Sequence, residues 1–453
     1  MRANDRSLIE AVLRKIPLHL RRRPFLVAFS GGLDSTVLLH LLSRLRDADE
    51  LASLTAVHVH HGLQAQADHW AGHAEVTARA LGIPLIVERI QARPDGGGAG
   101  LEAAAREARY RSLASRMEEG GVLLTAHHRN DQAETFLLQL MRGAGVRGLA
   151  SMPALAPFAR GWHLRPMLEF GRHEIHTYAL EHELRWVDDP SNADIRHARN
   201  LVRHSVFPVL HTHWPEAEAT LARAARRMAA TEGLLSDLGR IDLEAARSDQ
   251  AGRLDATVLA RLADHRLFNA VRTWLIELDL PLPPEPRLAE VRRMLDARAD
   301  ALPILRWKGG EIRRWREGLY ARPDHARTVD ASFSVLWDAT TTLDCPELGW
   351  RIIPHKVMGS GLRLDVMQTG GLRIRLRQGG ERIRVAGQAH HQSLKNLFQA
   401  SSIPPWERER LPLFFIDDQL VQVGDRWSDT SFTARKAEPG LQIILQRLDL
   451  VRG

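Results

Sequence analysis

The sequence predicts an α/β protein with a parallel-sheet N-terminal domain, a helical middle domain and a small α+β C-terminal domain. Three observations carry this. Apolar runs of strand length alternate with helical patterns as far as about residue 205. From about 215 the alternation stops and helical patterns follow one another. The last segment returns to alternating strands around one helix. The boundaries implied are 1–212, 213–330, an unassigned linker at 331–370, and 371–453.

The stretch Phe25–Ser35 organises the first domain. An apolar strand stops at Ser30–Gly31–Gly32, and a helical pattern with Val37, Leu38, Leu41 and Leu42 follows directly. Strand, tight glycine turn and helix N-terminus form a phosphate-holding geometry: amide groups approach the oxygens with no Cβ in the way, and the helix dipole favours negative charge. Ser30 and Ser35 add hydroxyl donors. Asp34 is repulsive beside a triphosphate unless a cation lies between them, which points to Mg²⁺ bound jointly with the nucleotide. No lysine stands where the Walker pattern needs one, so this is not an ordinary P-loop.

Composition sets the frame. At 453 residues the chain exceeds one ordinary core. Apolar content of 44% and charged content of 26% suit a folded soluble protein. A net charge of +7 fits a polyanionic partner. Cys345 is the only cysteine, which excludes disulfides within the chain and thiolate zinc sites. No secretory signal pattern and no membrane-length apolar run occur, so a cytoplasmic protein with no membrane partner is expected.

In order, residues 1–20 predict an amphipathic helix closed by Arg21–Arg22–Arg23–Pro24. A buried parallel strand over Leu54–His60 ends in His60–His61–Gly62–Leu63, a helix spans about 66–81, and Pro84–Val87 is a third strand. His60 lies at a strand end, suited to nucleotide contact or to plain packing. Asp95–Gly100 is either a linker or a lid. The next helix brings Glu102, Arg106, Arg109 and Tyr110 near one face, as an ion-pair ladder or as a phosphate contact. Gly121–His128 is a fourth strand and its exit, with His127 at its end. Asp131 and Glu134 follow one turn apart at a helix start, either complementing the dipole or able to hold Mg²⁺ or an amine. A Gly/Arg loop at 142–149, Arg165–Leu168, an Asx turn at Asp188–Asn192, and Arg196, Arg199, Asn200 and Arg203 on a basic helix complete the domain.

Beyond it, 216–240, 254–278 and 287–298 predict helices, the first carrying Arg223, Arg226 and Arg227 on a solvated or RNA-facing side. Short strands are expected at Ile304–Trp307 and Leu319–Tyr320. In the last segment Leu372–Arg377 alternates with a row of arginines, and Gly379–Gly380 turns into a second strand. Ser393 opens a helix that Ile403–Trp406 ends, and Leu420–Gly424 is a closing strand.

The motifs SGGLDS, HVHHGL, LEAAAREARYRSL, TAHHRNDQAET, RGAGVRGL, RPML and DDPSN with its RN segment resemble the tRNA(Ile)-lysidine synthase family in order and spacing. That family lies among the PP-loop ATP-pyrophosphatases, with an adenine-nucleotide alpha-hydrolase-like fold. The C-terminal segment is similar to the family's last domain, which implies a tRNA contact. One departure stands out, Asn130 in place of a usual acid.

The resemblance implies ATP as co-substrate with Mg²⁺, free L-lysine and tRNA(Ile) with a CAU anticodon as partners, and admits a homodimer. ATP would lie on Ser30, Gly31, Gly32, Leu33, Asp34 and Ser35, with His60 and His127 nearby and Mg²⁺ at Asp34. The wobble cytidine would be adenylated and lysine would displace AMP from C2, changing decoding from AUG to AUA. Asp34, Asp131 and Glu134 stand unranked as acceptors of the amine proton, and Arg109 would neutralise charge on the intermediate. A tRNA thiolase of the same loop class and a non-catalytic RNA binder are the competing readings.

Overall fold

The structure, a computed structural model, describes residues 3–60, 62, 66–90, 101–248, 252–298, 301–323, 330, 332–365, 371–388 and 390–448. His61, Leu63 and the glycine-rich 95–100 stretch lie outside these, as do the side chains of Glu102 and Asn192. The chain forms two compact units, Met1–Asp237 and Leu238–Gly453.

In the first unit α1 (Ala3–Lys15) leads to β1 (Pro24–Ala28), α2 (Leu33–Asp47), β2 (Ser53–His60), α3 (Ala67–Ala80), β3 (Leu85–Arg89), α4 (Leu101–Ser115), β4 (Val122–Leu124) and α5 (Arg129–Met141). Then come α6 (Val146–Leu149), β5 (Leu155–Phe158), β6 (Gly161–Leu164), α7 (Arg172–Glu181), α8 (Ala198–Leu201), a π-helical turn over Val202–Val206, α9 (Phe207–His211) and α10 (Ala217–Ala246). The sheet order is β3-β2-β1-β4-β6-β5. It is parallel throughout except for the β5–β6 hairpin.

The chain moves from β1 to β2 on one side and returns to place β4 on the other. That makes the gap between β1 and β4 the switch point where such sheets bind ligands, outside the carboxyl ends of the strands. The core fixes it there. Val37, Leu38, Leu39, Leu41 and Leu42 are all fully buried, so α2 is covered on most of its sides, by α1, α7 and the sheet. Its first turn is thereby held rigidly under the end of β1.

The second unit contains β7 (Arg253–Asp255), α11 (Ala256–Ala260), α12 (Asp264–Glu277), α13 (Glu285–Asp296), β8 (Ile304–Trp307), β9 (Gly310–Trp315) and β10 (Gly318–Arg322). The expected helix at 254–278 is instead a strand and two helices. Asp255 ends the strand and caps α11 by accepting from the Thr257 and Val258 amides. The strands pair antiparallel in the order β7-β10-β9-β8, so this region joins helices to a small sheet.

The expected linker at 331–370 is corrected more sharply. It supplies β11 (Ser334–Trp337), β12 (Leu343–Cys345), β13 (Trp350–Met358) and β14 (Leu362–Arg363). The chain continues through β15 (Leu372–Arg375), β16 (Arg382–Ile383), β17 (Gln392–Ser393), α14 (Leu394–Ala400), α15 (Pro405–Arg408), β18 (Leu413–Ile416), β19 (Gln419–Val423), β20 (Trp427–Ser428) and β21 (Pro439–Arg447). β11 pairs with β15, and β13 pairs with β21 from Trp350 to Met358. The partners are distant in sequence, and β13 alternates poorly, so local pattern hid them. Leu420–Gly424 does not close the fold, since β21 does. Pro405 starts a new helix rather than ending the old one, with Trp406 buried beneath it. Among the described residues no helix is long and apolar enough to cross a membrane.

Candidate active site

The loop from β1 to α2 has the geometry its sequence demands. Gly31 adopts φ +83°, a left-handed conformation that calls for glycine, and a Cβ there would lie 3.3 Å from Val187 Cγ2, a tight contact. Gly32 is the N-cap of α2. Ser30 Oγ lies 2.9 Å from Ser35 Oγ, and Thr36 donates to the Gly32 carbonyl at 2.9 Å. Beneath the loop Phe29 donates its amide to Val57 O (2.8 Å), and His58 Nδ1 meets Phe29 O at 3.0 Å. The loop is braced from the neighbouring strand.

Asp34 stands in the first turn of α2, its side chain 35% exposed. Its Oδ1 is buried without a hydrogen-bond partner. Its Oδ2 lies 3.7 Å from His128 Nε2, and that nitrogen lies 3.5 Å from Asp131 Oδ2. Asp34, His128 and Asp131 thus span the gap from β1 to β4.

The His128 ring also caps α5, accepting from the Asn130 amide at Nδ1 (3.2 Å). Burial alone would lower its pKa, but Asp131 and Asp34 outweigh burial and raise it. The cap requires a lone pair at Nδ1, so the neutral ring carries its proton on Nε2, facing both carboxylates. Asp131 caps in return by accepting from the His128 amide at 2.9 Å. Burial pushes the Asp131 carboxyl up, but His128 and Arg199 prevail and hold it below the ordinary range.

Glu134 is 1% exposed and fully engaged. Arg199 Nε donates to its Oε2 and Arg203 Nε to its Oε1, each at 2.7 Å. Glu134 therefore serves as counter-ion to two guanidiniums, a third role beside the two the sequence leaves open for the Asp131–Glu134 pair. Asp131 Oδ1 is held more loosely, 3.5 Å from Arg199 and 3.4 Å from Arg203. Arg203 lies in the π-helical turn, a local widening common at functional sites.

Arg109 is half-buried on α4 and has no ion-pair partner among the described residues. Its guanidinium lies 5.6 Å from the Tyr110 ring centre, with Arg106 at 5.1 Å. Burial pushes its pKa down, and the charges of Arg106 and Arg199 push the same way. An uncompensated cation in such surroundings is destabilised until an anion arrives. Arg165 adds to it, with its Nε buried and unpartnered.

Arg165 also fixes two tautomers. It can only donate, so His163 Nδ1, 3.0 Å from Arg165 Nη2, accepts. His163 Nε2–H then donates to Thr125 Oγ1 (2.9 Å), and the Thr125 hydroxyl donates to His127 Nδ1 (2.8 Å). His127 is left with its proton on Nε2, as a neutral donor. Burial holds both imidazoles neutral, each lowered to about 3.

His60 is buried at the end of β2. Its Nε2 is 3.2 Å from Asp68 Oδ1, and Arg89 donates to the same carboxylate. Asn130 takes a bridging role. Its Oδ1 accepts from the Arg172 amide at the start of α7 (3.1 Å), and its Nδ2 donates to Glu218 on α10 (3.1 Å). His128, Arg165, Arg199 and Arg203 were not singled out as site residues from sequence. The four-residue spacing of Arg199 and Arg203 was the available signal, since it puts both on one face toward Glu134.

Comparison with known proteins agrees along the chain. The family profile described as PP-loop domain matches residues 5–210, TilS substrate binding domain 254–320, and TilS substrate C-terminal domain 372–445. A protein of Alkalilimnicola ehrlichii named tRNA(Ile)-lysidine synthase is 43% identical over 93% of this chain and 93% of its own length. Proteins of the same name from Pseudomonas aeruginosa (42%, covering 88% and 89%) and Methylococcus capsulatus (39%, covering 90% and 92%) are similar throughout. With a glycine turn at its switch point and likeness of this order over most of its length, the chain belongs to the tRNA(Ile)-lysidine synthase family.

Proposed function

We propose that this chain uses ATP to join lysine to C2 of the wobble cytidine in tRNA(Ile) carrying a CAU anticodon. The observation that carries the reading is the contact chain Asp34–His128–Asp131 across the switch point, flanked by Arg109 with no counter-ion. An acid and unpaired cations beside a glycine loop suit a triphosphate and its metal.

The residues present fit Mg²⁺. Asp34 offers a buried oxygen with no partner, and this metal typically takes one or two carboxylates with phosphates and water. Bound there, it would neutralise phosphate charge. Glu134 is already held at short range by Arg199 and Arg203.

Ser30–Ser35 hold the phosphates, and Arg109 and Arg165 face the negative charge near the α-phosphate. The cytidine O2 attacks that phosphorus and pyrophosphate leaves. Lysine Nε then attacks C2, the C2–O2 bond breaks, and AMP departs with the oxygen. The free amine has a pKa of about 10.4, so it must lose a proton first. Arg109, Arg199 and Arg203 favour the neutral amine, and Asp131 is the carboxylate with an oxygen to receive it. His127, a neutral donor, contributes an N–H to the nucleotide or the intermediate.

Thiolation is disfavoured. Cys345 is buried and its thiol is pushed up to about 11, so it supplies no ready thiolate. Incubation with ATP, labelled lysine and a tRNA(Ile) transcript tests the reading. One lysine retained per RNA, with AMP and pyrophosphate released, is the expected result; no retained lysine would exclude it.

A further inference from the structure

A cleft of about 450 Å³ opens beside the phosphate loop, lined by Leu33, Arg172, His173, His176, Trp186 and Asp188. This is within the usual range for a small-molecule site. Its wall is continuous with the loop. Leu33 directly precedes Asp34, and Val187, between Trp186 and Asp188, donates its amide to Gly31 O at 3.0 Å. A group seated in the cleft is therefore delivered to the place where the phosphates bind.

The lining is chemically mixed in a telling way. Trp186 offers an aromatic surface, with His176 edge-on to it at 5.8 Å between ring centres. Arg172, His173 and Asp188 are exposed, and their side chains have no hydrogen-bond or ion-pair partner among the described residues. The neighbouring acids behave differently: Asp189 caps the Ser191 amide and Asp194 pairs with Arg196. An aromatic face with both a free acceptor and free donors is the requirement for a flipped-out nucleobase.

We propose that this cleft takes the base of the wobble cytidine and that Asp188 accepts a hydrogen bond from its exocyclic N4 amine. The inference rests on the function proposed above and deepens it by naming the group that selects the base. Cytosine presents an amine where uracil presents O4, and a carboxylate accepts from the first and repels the second. With N4 on Asp188 and a cation near N3, the O2 edge is left for the phosphate loop. A free amino acid is the rival occupant, since Arg172 and Asp188 would also suit a zwitterion.

The test compares the full-length enzyme with Asp188→Ala and Asp188→Asn. The probes are anticodon stem–loop RNAs carrying cytidine, uridine or the amine-free pyrimidin-2-one nucleoside at the wobble position. Nucleotide affinity serves as a check that each variant is folded. The wild type should prefer cytidine over both others by about tenfold or more. Asp188→Ala should erase that ratio, and Asp188→Asn should retain part of it through its amide oxygen. ATP affinity should not change. Equal binding of the three RNAs by the wild type, or an unchanged ratio in Asp188→Ala, would overturn the proposal. So would a raised KM for lysine in Asp188→Ala with RNA selectivity intact, since that assigns the cleft to the amino acid. Failure of the wild type to bind any of the RNAs would remove the proposed function together with this inference, whereas lysine transfer without base selectivity would remove only the inference.

Discussion

Asn130 donates from Nδ2 to Glu218 Oε1 across 3.1 Å while its own oxygen accepts the Arg172 amide. An aspartate would keep the second bond and lose the first, placing a carboxylate against a carboxylate. The amide here and the acid at 218 form a matched pair tying α5 to α7 and α10. Asn130→Asp should cost about 1–3 kcal/mol in urea unfolding at neutral pH. Adding Glu218→Gln should recover most of the loss, because the new amide can donate to the introduced carboxylate.

We propose that Glu134 supports the site, as the counter-ion of Arg199 and Arg203, rather than reacting in it. Glu134→Ala leaves Arg199 and Arg203 without their shared buried counter-ion, which should cost about 3–5 kcal/mol by denaturant titration. Lysine transfer by this variant should fall together with stability. Transfer lost with stability unchanged would instead mark Glu134 as the proton acceptor.

Gly31 is required by its φ of +83°, and a Cβ there would also crowd Val187 at 3.3 Å. Gly31→Ala should destabilise by about 1–2 kcal/mol and weaken ATP binding, measured by calorimetry. Gly72, where a Cβ would meet nothing within 4 Å, should accept alanine without effect on ATP affinity.

Acid should loosen this site in a defined window. Burial lowers His127 and His163 from 6.5 to about 3. Between those values the unfolded chain binds protons that the folded chain refuses. Stability is therefore intact above pH 6.5 and falls as pH drops toward 3, by up to about 1.4 kcal/mol per pH unit for each ring. Asp131, lowered below 3.8, acts in the same direction at still lower pH. His128 is raised, so its part is full below 6.5 and is lost as pH rises through its folded value. Urea titrations from pH 7 to 5 should show a shallower fall in His163→Gln than in the wild type.

The first unit was legible because its signals are local. Strand runs such as Leu54–His60 and the Gly31–Gly32 turn need no distant partner to be recognised, and the Asp189 turn forms as its residues dictate. The site was legible where one motif held both partners, as with Asp131 and the histidine segment. It was not legible where the partner came from far along the chain. Nothing near Glu134 announces Arg199 and Arg203, and nothing near Thr125 announces His163. The second unit shows the same limit, since β13 is defined by pairing with β21 rather than by its own alternation.

In the proposed mechanism the loop at Ser30–Ser35, with Asp34, drives adenylation of the tRNA before lysine enters. The direct measurement incubates enzyme, tRNA(Ile) transcript and ATP labelled at the α-phosphate, with lysine withheld. Label should appear on the RNA, leave as AMP when lysine is added, and be absent with Asp34→Ala. RNA that stays unlabelled while lysine transfer proceeds normally would rule out adenylation before lysine entry, and full labelling by Asp34→Ala would remove Asp34 from that step.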